Sequence, residues 1–227
     1  MPLLYDAPQR LAGLAALRQL DALGLNRGSS GNLSFRASAE ASGGAPGAYW
    51  VTPTGMPPDE MNADAFVLMS ADGQVLAGDW APSTEWPFHG AVLARRPDLH
   101  AVVHMHSPHA TALACQRRRL PPFHYMVAVA GGDDVPCTPY HLFGTEALSQ
   151  AVQAAFADRN ACLMANHGLV AGGGSLAAAL KVAIEVEALC GIYLQSLALG
   201  EPVHLSREEM AQVLQRFRQY GQARRSG

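Results

Sequence analysis

Two histidines two positions apart, His104 and His106, sit in "HAVVHMHSPHATALA", whose first half reads as a buried strand running into a helix. Side chains alternate faces along a strand, so both imidazoles point the same way, with Val102 below them. That is the geometry of a two-nitrogen metal site, although a pair of hydrogen-bonded core histidines would leave the same pattern. A third donor decides between the two, and the best candidate is His167, at the polar break in the apolar run "NACLMANHGLVAGG". The glycine beside it allows close backbone approach, while an ordinary turn residue is the competing reading. Glu85, in "STEWPFH", falls in the first turn of an expected helix, where a carboxylate is commonly just a favourable charge at the positive end. Beside a metal it becomes a candidate acid or base, with Trp86 and Phe88 as an apolar wall able to raise its proton affinity. Three imidazoles with one open position form a catalytic zinc arrangement, unlike a closed structural site.

Such donors need elements to aim them. Helical spacing of Leu and Ala in "PQRLAGLAALRQLDALGL" predicts a helix, followed by the loop "NRGSSGN" and a strand in "LSFRA". "SAEASGGAPGA" is too rich in Gly, Ala and Ser to pack well and is expected to form a flexible hairpin tip. "YWVTPTGM" and "FVLMSADGQVLAG" read as strands, the latter a pair turning at Asp72 and Gly73. "STEWPFHGAVLARRP" reads as a helix with a Ser or Thr cap, Pro87 in its first turn and a stop at Pro97. "MVAVAGG" and "VPCTPY" are further extended candidates, and "GTEALSQAVQAAFADR" is an amphipathic helix. "SLAAALKVAIEVEALCGIYLQSLALG" is a long helix, apolar on most faces, that the body of the protein or another subunit should cover. A capped polar helix, "SREEMAQVLQRFRQYG", follows. The mixture predicts an α/β domain, a central sheet covered by helices, over residues 1–227 without a linker or repeat.

Composition excludes several partners. The 227 residues are 49% hydrophobic and 15% charged, enough for one large core. A net charge of −3, with even the densest basic clusters, Arg117 to Arg119 and Arg224 with Arg225, short, argues against nucleic acid. No signal-peptide pattern or bilayer-length apolar run is present, so a soluble, cytoplasmic protein with no membrane partner is expected. Cys115, Cys137, Cys162 and Cys190 are scattered, which suits reduced, packed cysteines.

The pieces "GLNRGSSGNLSFR", "VTPTGM", "STEWPFH", "AVVHMHSPHATALA", "PPFHYMVAVAGGDDVPCTPYHLFGT", "NACLMANHGLVAGG" and "EVEALCGIYLQSLALGEPV" run over nearly the whole chain in the order found in the class II aldolase and adducin family. The sequence resembles that family, departing from it mainly in the extra length around "SAEASGGAPGA". The resemblance implies a three-layer α/β fold with a mainly antiparallel central sheet. It implies that His104, His106 and His167 bind one Zn2+ per subunit, with Glu85 as acid or base and as a further contact to the metal. It makes Tyr125, in "HYM", a proton donor reaching into a neighbouring subunit's site, within a homotetramer whose active sites lie at subunit interfaces. It assigns substrate phosphate to Ser29, Ser30, Gly31 and Asn32, to Thr54 and Gly55, and to Ser83 and Thr84. Read alone, those stretches are ordinary turns and caps, although hydroxyls, bare amides and a helix starting near Thr84 suit an anion.

The implied reaction is zinc-dependent cleavage of a 1-phosphorylated ketose, such as L-fuculose 1-phosphate, into dihydroxyacetone phosphate and a small aldehyde such as lactaldehyde. Sister reactions implied by the same family are aldol cleavage of 5-deoxyribulose 1-phosphate, ribulose-phosphate 4-epimerisation, methylthioribulose-phosphate dehydration and sugar-acid phosphate decarboxylation. A non-catalytic adducin-like module and a metal-dependent hydrolase are the readings from other classes. Lys181, the only lysine, lies on a helix that reads as packed, which disfavours Schiff-base chemistry. Aldehyde selectivity is expected near Tyr125, Phe143 and Tyr220.

Overall fold

A computed structural model describes residues 5–219; Tyr220, Arg224 and Arg225 lie outside them. Eight strands form one sheet: β1 (Asn32–Arg36), β2 (Tyr49–Val51), β3 (Val67–Met69), β4 (Val75–Ala77), β5 (Ala101–Met105), β6 (Cys137–Thr138), β7 (Ala161–Met164) and β8 (Gly168–Gly173). Their spatial order is β4-β3-β2-β1-β5-β8-β7-β6. All neighbours pair antiparallel except β6 with β7. The helices are α1 (Ala7–Ala22), α2 (Trp86–Arg95), α3 (Pro108–Cys115), α4 (Glu146–Ala155), α5 (Leu176–Ser196) and α6 (Arg207–Gln219).

Strand alternation sorts side chains into two cores. Leu33, Trp50, Val103, Met105, Leu169 and Ala171 join the cluster built with α1, α3 and α5, whereas Tyr49, Val51, Val102 and Val170 join the one built with α2 and α4. The result is the expected helix, sheet, helix layering. His104 shares a face with Val102, so its ring enters the α2 side and meets the edge of Phe88, centroids 5.7 Å apart.

α2 is tied down at its far end by Arg36 of β1, whose guanidinium donates to the carbonyls of Leu93 at 2.6 Å, Leu99 at 2.8 Å and Arg96 at 3.2 Å. This satisfies carbonyls that a helix end leaves open. α3 lacks a side-chain cap of its own. Glu187, from the middle of α5, serves instead, accepting from the backbone N–H of His109 at 2.9 Å and of Ala110 at 2.8 Å. It also accepts from the Ser107 hydroxyl at 2.6 Å and lies 2.9 Å from His109 Nδ1.

Several expectations need correction. "MVAVAGG" is not extended: Tyr125–Ala130 is a 3-10 helix, entered where His124 Nδ1 accepts the Met126 N–H and left at Gly131 with φ 86°. It packs against α5 and α6, so its buried Val127, Ala128 and Ala130 face helices and not a strand partner. α2 has no Ser or Thr cap; Glu85 occupies that position and makes no side-chain cap. The segment after β1 is a series of turns, but Ala41 within it is buried in the core. The hairpin of β3 and β4, the amphipathic α4 and the long α5 stand as expected. α6 opens with a reciprocal cap between Ser206 and Glu209. No helix among the described residues is long and apolar enough to cross a membrane.

Candidate metal centre

The β5–β8 ladder puts three histidines together. His104 is held inside the sheet, paired with Asn32 of β1 on one side and Val170 of β8 on the other. His106 follows just past the strand end, and His167 sits in the tight turn joining β7 to β8, where Asn166 takes φ 56°. A side chain at Gly168 would not fit: a Cβ there would stand 2.6 Å from the Met105 carbonyl and 3.0 Å from the His106 ring. The glycine lets the turn close down on the other two imidazoles.

The three ring centroids form a nearly equilateral triangle with sides of 4.8, 4.9 and 4.9 Å. Potential ligand atoms of the three lie within 4.8 Å of one another. His104 and His106 bring their Nε2 atoms to 3.0 Å. His104 Nδ1 lies 2.9 Å from the Leu169 carbonyl, an acceptor, so Nδ1 carries the proton and Nε2 presents its lone pair to the centre. Burial pushes the His104 pKa down to about 3, helped by neighbouring His106 and opposed by the Leu169 bond. Burial likewise lowers His167 to about 4, with His104 and His106 adding to the effect and Glu85 opposing it. His106 is lowered by burial against the pull of Glu85. The trio is therefore neutral at pH 7, the form that binds a cation.

Glu85 closes the fourth side. Its Oε2 is 3.2 Å from His104 Nε2 and its Oε1 is 3.3 Å from His167 Nε2. Glu85 is 7% exposed, and its Oε1, buried, makes no hydrogen bond. An orphaned anionic oxygen facing three neutral nitrogens is costly to bury unless a cation completes it. The donor set thus fits a divalent metal, with imidazole nitrogen favouring zinc and its late transition-metal neighbours.

A cleft of about 310 Å³ opens over the centre. Its wall contains Ser29, Ser30, Gly31, Asn32, Thr54, Gly55, Ser83 and Thr84, all the residues expected to hold phosphate, beside Glu85, His106 and His167. Ser29, Thr54, Gly55 and Thr84 are exposed there. Gly31 (φ 80°) and Gly55 (φ 68°) make the turns, and a side chain on Gly31 would strike buried Asn26. Asn32 lines the cleft, but its side chain is turned to Glu85 and His89. Phe143 forms part of the rim, as do Tyr140, His141 and Asn166, none of which the sequence marks as a site residue. Of these only Asn166 carried a visible signal, as the polar neighbour of His167. Tyr125 is 51% exposed and does not line this cleft.

Comparison with known proteins follows the same lines. The family described as Class II Aldolase and Adducin N-terminal domain matches residues 12–194. A 5-methylthioribulose-1-phosphate/5-deoxyribulose-1-phosphate aldolase from Rhodospirillum rubrum is 44% identical over 91% of this chain and 89% of its own. An L-fuculose phosphate aldolase from Escherichia coli K12 is 42% identical over 89% and 91%. Among solved structures, an L-fuculose 1-phosphate aldolase superposes with a TM-score of 0.86 at 35% identity, covering 92% of this chain and 95% of the other.

Proposed function

The chain belongs to the class II aldolase and adducin family, and we propose that it is a zinc-dependent, cytoplasmic aldolase that splits a 1-phosphorylated ketose into dihydroxyacetone phosphate and a small aldehyde. The observation that carries this reading is the pairing of two half-sites in one cleft: hydroxyls and glycine turns on one wall, and buried Glu85 beside three neutral imidazoles at its foot. The first suits a phosphate monoester. The second suits a carbon acid next to a carbonyl.

Zinc at His104, His106 and His167 would act as a Lewis acid on the ketose oxygens, stabilising the charge left by carbon–carbon cleavage. The remaining work falls to the protein. Ser29, Ser30, Thr54, Ser83 and Thr84 hold the phosphate end and so fix C3 near Glu85. In the cleavage direction the C4 hydroxyl gives up its proton, the C3–C4 bond breaks, and Glu85 delivers a proton to C3. Tyr125 of a neighbouring subunit is the proposed donor of a proton to the aldehyde oxygen in the condensation direction, so that in cleavage its phenolate takes the C4 proton back; its exposure leaves it available to a second chain.

Identities of 44% and 42% do not separate the two named substrate types. L-fuculose 1-phosphate, 5-deoxyribulose 1-phosphate and 5-methylthioribulose 1-phosphate share the same phosphate-bearing half and differ only in the aldehyde. Discrimination therefore belongs at the rim, where Tyr140, His141 and Phe143 stand. Zinc-loaded protein should release dihydroxyacetone phosphate from at least one of the three. Release from none of them, with zinc bound, overturns the proposal.

A further inference from the structure

Glu85 stands at the end of a buried chain of side chains. Its Oε2 accepts from Asn32 Nδ2 at 2.9 Å, Asn32 Oδ1 lies 2.6 Å from His89 Nε2, and His89 Nδ1 lies 2.7 Å from the Ser34 hydroxyl. His89 and Ser34 have no exposure, and Asn32 is 6% exposed. Glu85 holds the N-cap position of α2 and His89 follows one helical turn on, and Asn32 and Ser34 stand two apart on β1, so the pairs face each other by the periods of their elements.

The direction of every bond is forced. An ionised carboxylate only accepts, so Asn32 must show it the amide nitrogen and turn its oxygen to His89. His89 must then carry its proton on Nε2, which leaves Nδ1 a lone pair that can only accept, from Ser34. Three donors in series thus point at one carboxylate oxygen, each polarising the next.

We infer that His89, acting through Asn32, is a positioning residue that assigns different tasks to the two oxygens of Glu85. Oε2 is locked as an acceptor, and Oε1, the oxygen without a hydrogen bond, faces the three imidazoles while the site is empty and is the one left to exchange a proton once a substrate occupies that space. With His89 gone the Asn32 amide is free to flip, the carboxylate can rotate, and its proton no longer stays on one side. This inference rests on the aldolase reading for its chemical consequence, though not for its geometry.

Two measurements test it. In wild-type protein, nitrogen NMR of the histidines should show His89 protonated at Nε2 and bare at Nδ1, with or without zinc or substrate; the opposite tautomer overturns the proposal. The second follows exchange of the C3 proton of dihydroxyacetone phosphate with solvent. His89→Phe keeps the ring but removes both nitrogens, so kcat for exchange should fall about thirtyfold while KM moves less than about threefold. His89→Gln places an amide near the Nε2 position and should recover part of the loss. An unchanged kcat in folded His89→Phe, or no recovery with Gln, overturns the inference. Should His89→Phe not fold, Ser34→Ala decides: a fall in kcat of about threefold or more supports the chain, and none sinks it. A wild-type protein that exchanges nothing refutes the aldolase reading instead, and the tautomer still settles the chain.

Discussion

At Glu85, replacing one carboxylate oxygen with an amide keeps the shape and removes the titratable group. Glu85→Gln should therefore slow C3 proton exchange about a hundredfold or more while leaving zinc bound, and wild-type exchange in the variant would assign the base elsewhere. The histidines predict a pH effect that needs no substrate. His104 and His167 titrate at about 3 and about 4 in the folded, metal-free protein, against about 6.5 in an unfolded chain. Below pH 6.5 the unfolded chain takes up protons that the folded one refuses, so stability should fall steadily as pH drops from about 6.5 toward 4. The slope should reach about 1.4 kcal/mol per pH unit for each histidine. Urea denaturation of chelator-stripped protein at pH 7, 6 and 5 reads this directly, and a flat profile contradicts the buried neutral imidazoles. The three histidines were legible because period-two alternation and a polar break in an apolar run are local signals. His89 and Asn32 were not legible as partners. Their tie spans 57 positions from a strand to a helix, and no local period marks it.

At the scale of elements, the two helices nearest the site start differently from what their sequences announce. α2 was expected to use Ser or Thr as its cap, yet Glu85 takes the position without capping because its carboxylate is engaged by Asn32 and lies against the histidines. α3 begins with Ser107 in the cap position, but that hydroxyl donates to Glu187 and the glutamate takes the two amides. A cap delivered from α5, across 78 positions, leaves no trace in the local sequence. Glu187→Gln would oppose an amide NH2 to one of those two N–H donors and should cost about 1–3 kcal/mol of stability. Because Ser107 follows His106 directly, zinc affinity measured by chelator competition should fall in the same variant. Unchanged stability would show the cap to be dispensable. The 3-10 segment Tyr125–Ala130 reads as a strand because alternating Val and Ala mimic one; the structure packs it against α5 and α6 instead.

For the whole molecule, order of elements and layering were readable because hydrophobic period separates helix from strand along most of the chain, while pairing order depends on contacts between distant segments. Assembly is the test that belongs at this scale. Tyr125 is half exposed, Phe143 and Leu142 more so, surface that the proposed head-to-tail homotetramer, with one chain lending Tyr125 to the next, would cover. Glu85→Gln and Tyr125→Phe chains, dissociated and reassembled together, should regain part of the activity that each lacks alone; a fully active monomer, or mixed rings without rescue, removes the shared site. The β5–β8 ladder, finally, sets a clock. It joins Ala101–Met105 to Leu169–Gly173, and until that long-range pairing closes, local spacing offers a metal only the His104 and His106 pair. Closing so large a loop comes late in folding. Zinc drawn from a chromophoric chelator during refolding should then keep step with the slowest gain of sheet structure, so that tight capture of the ion dates the moment at which the two halves of the chain first recognise each other.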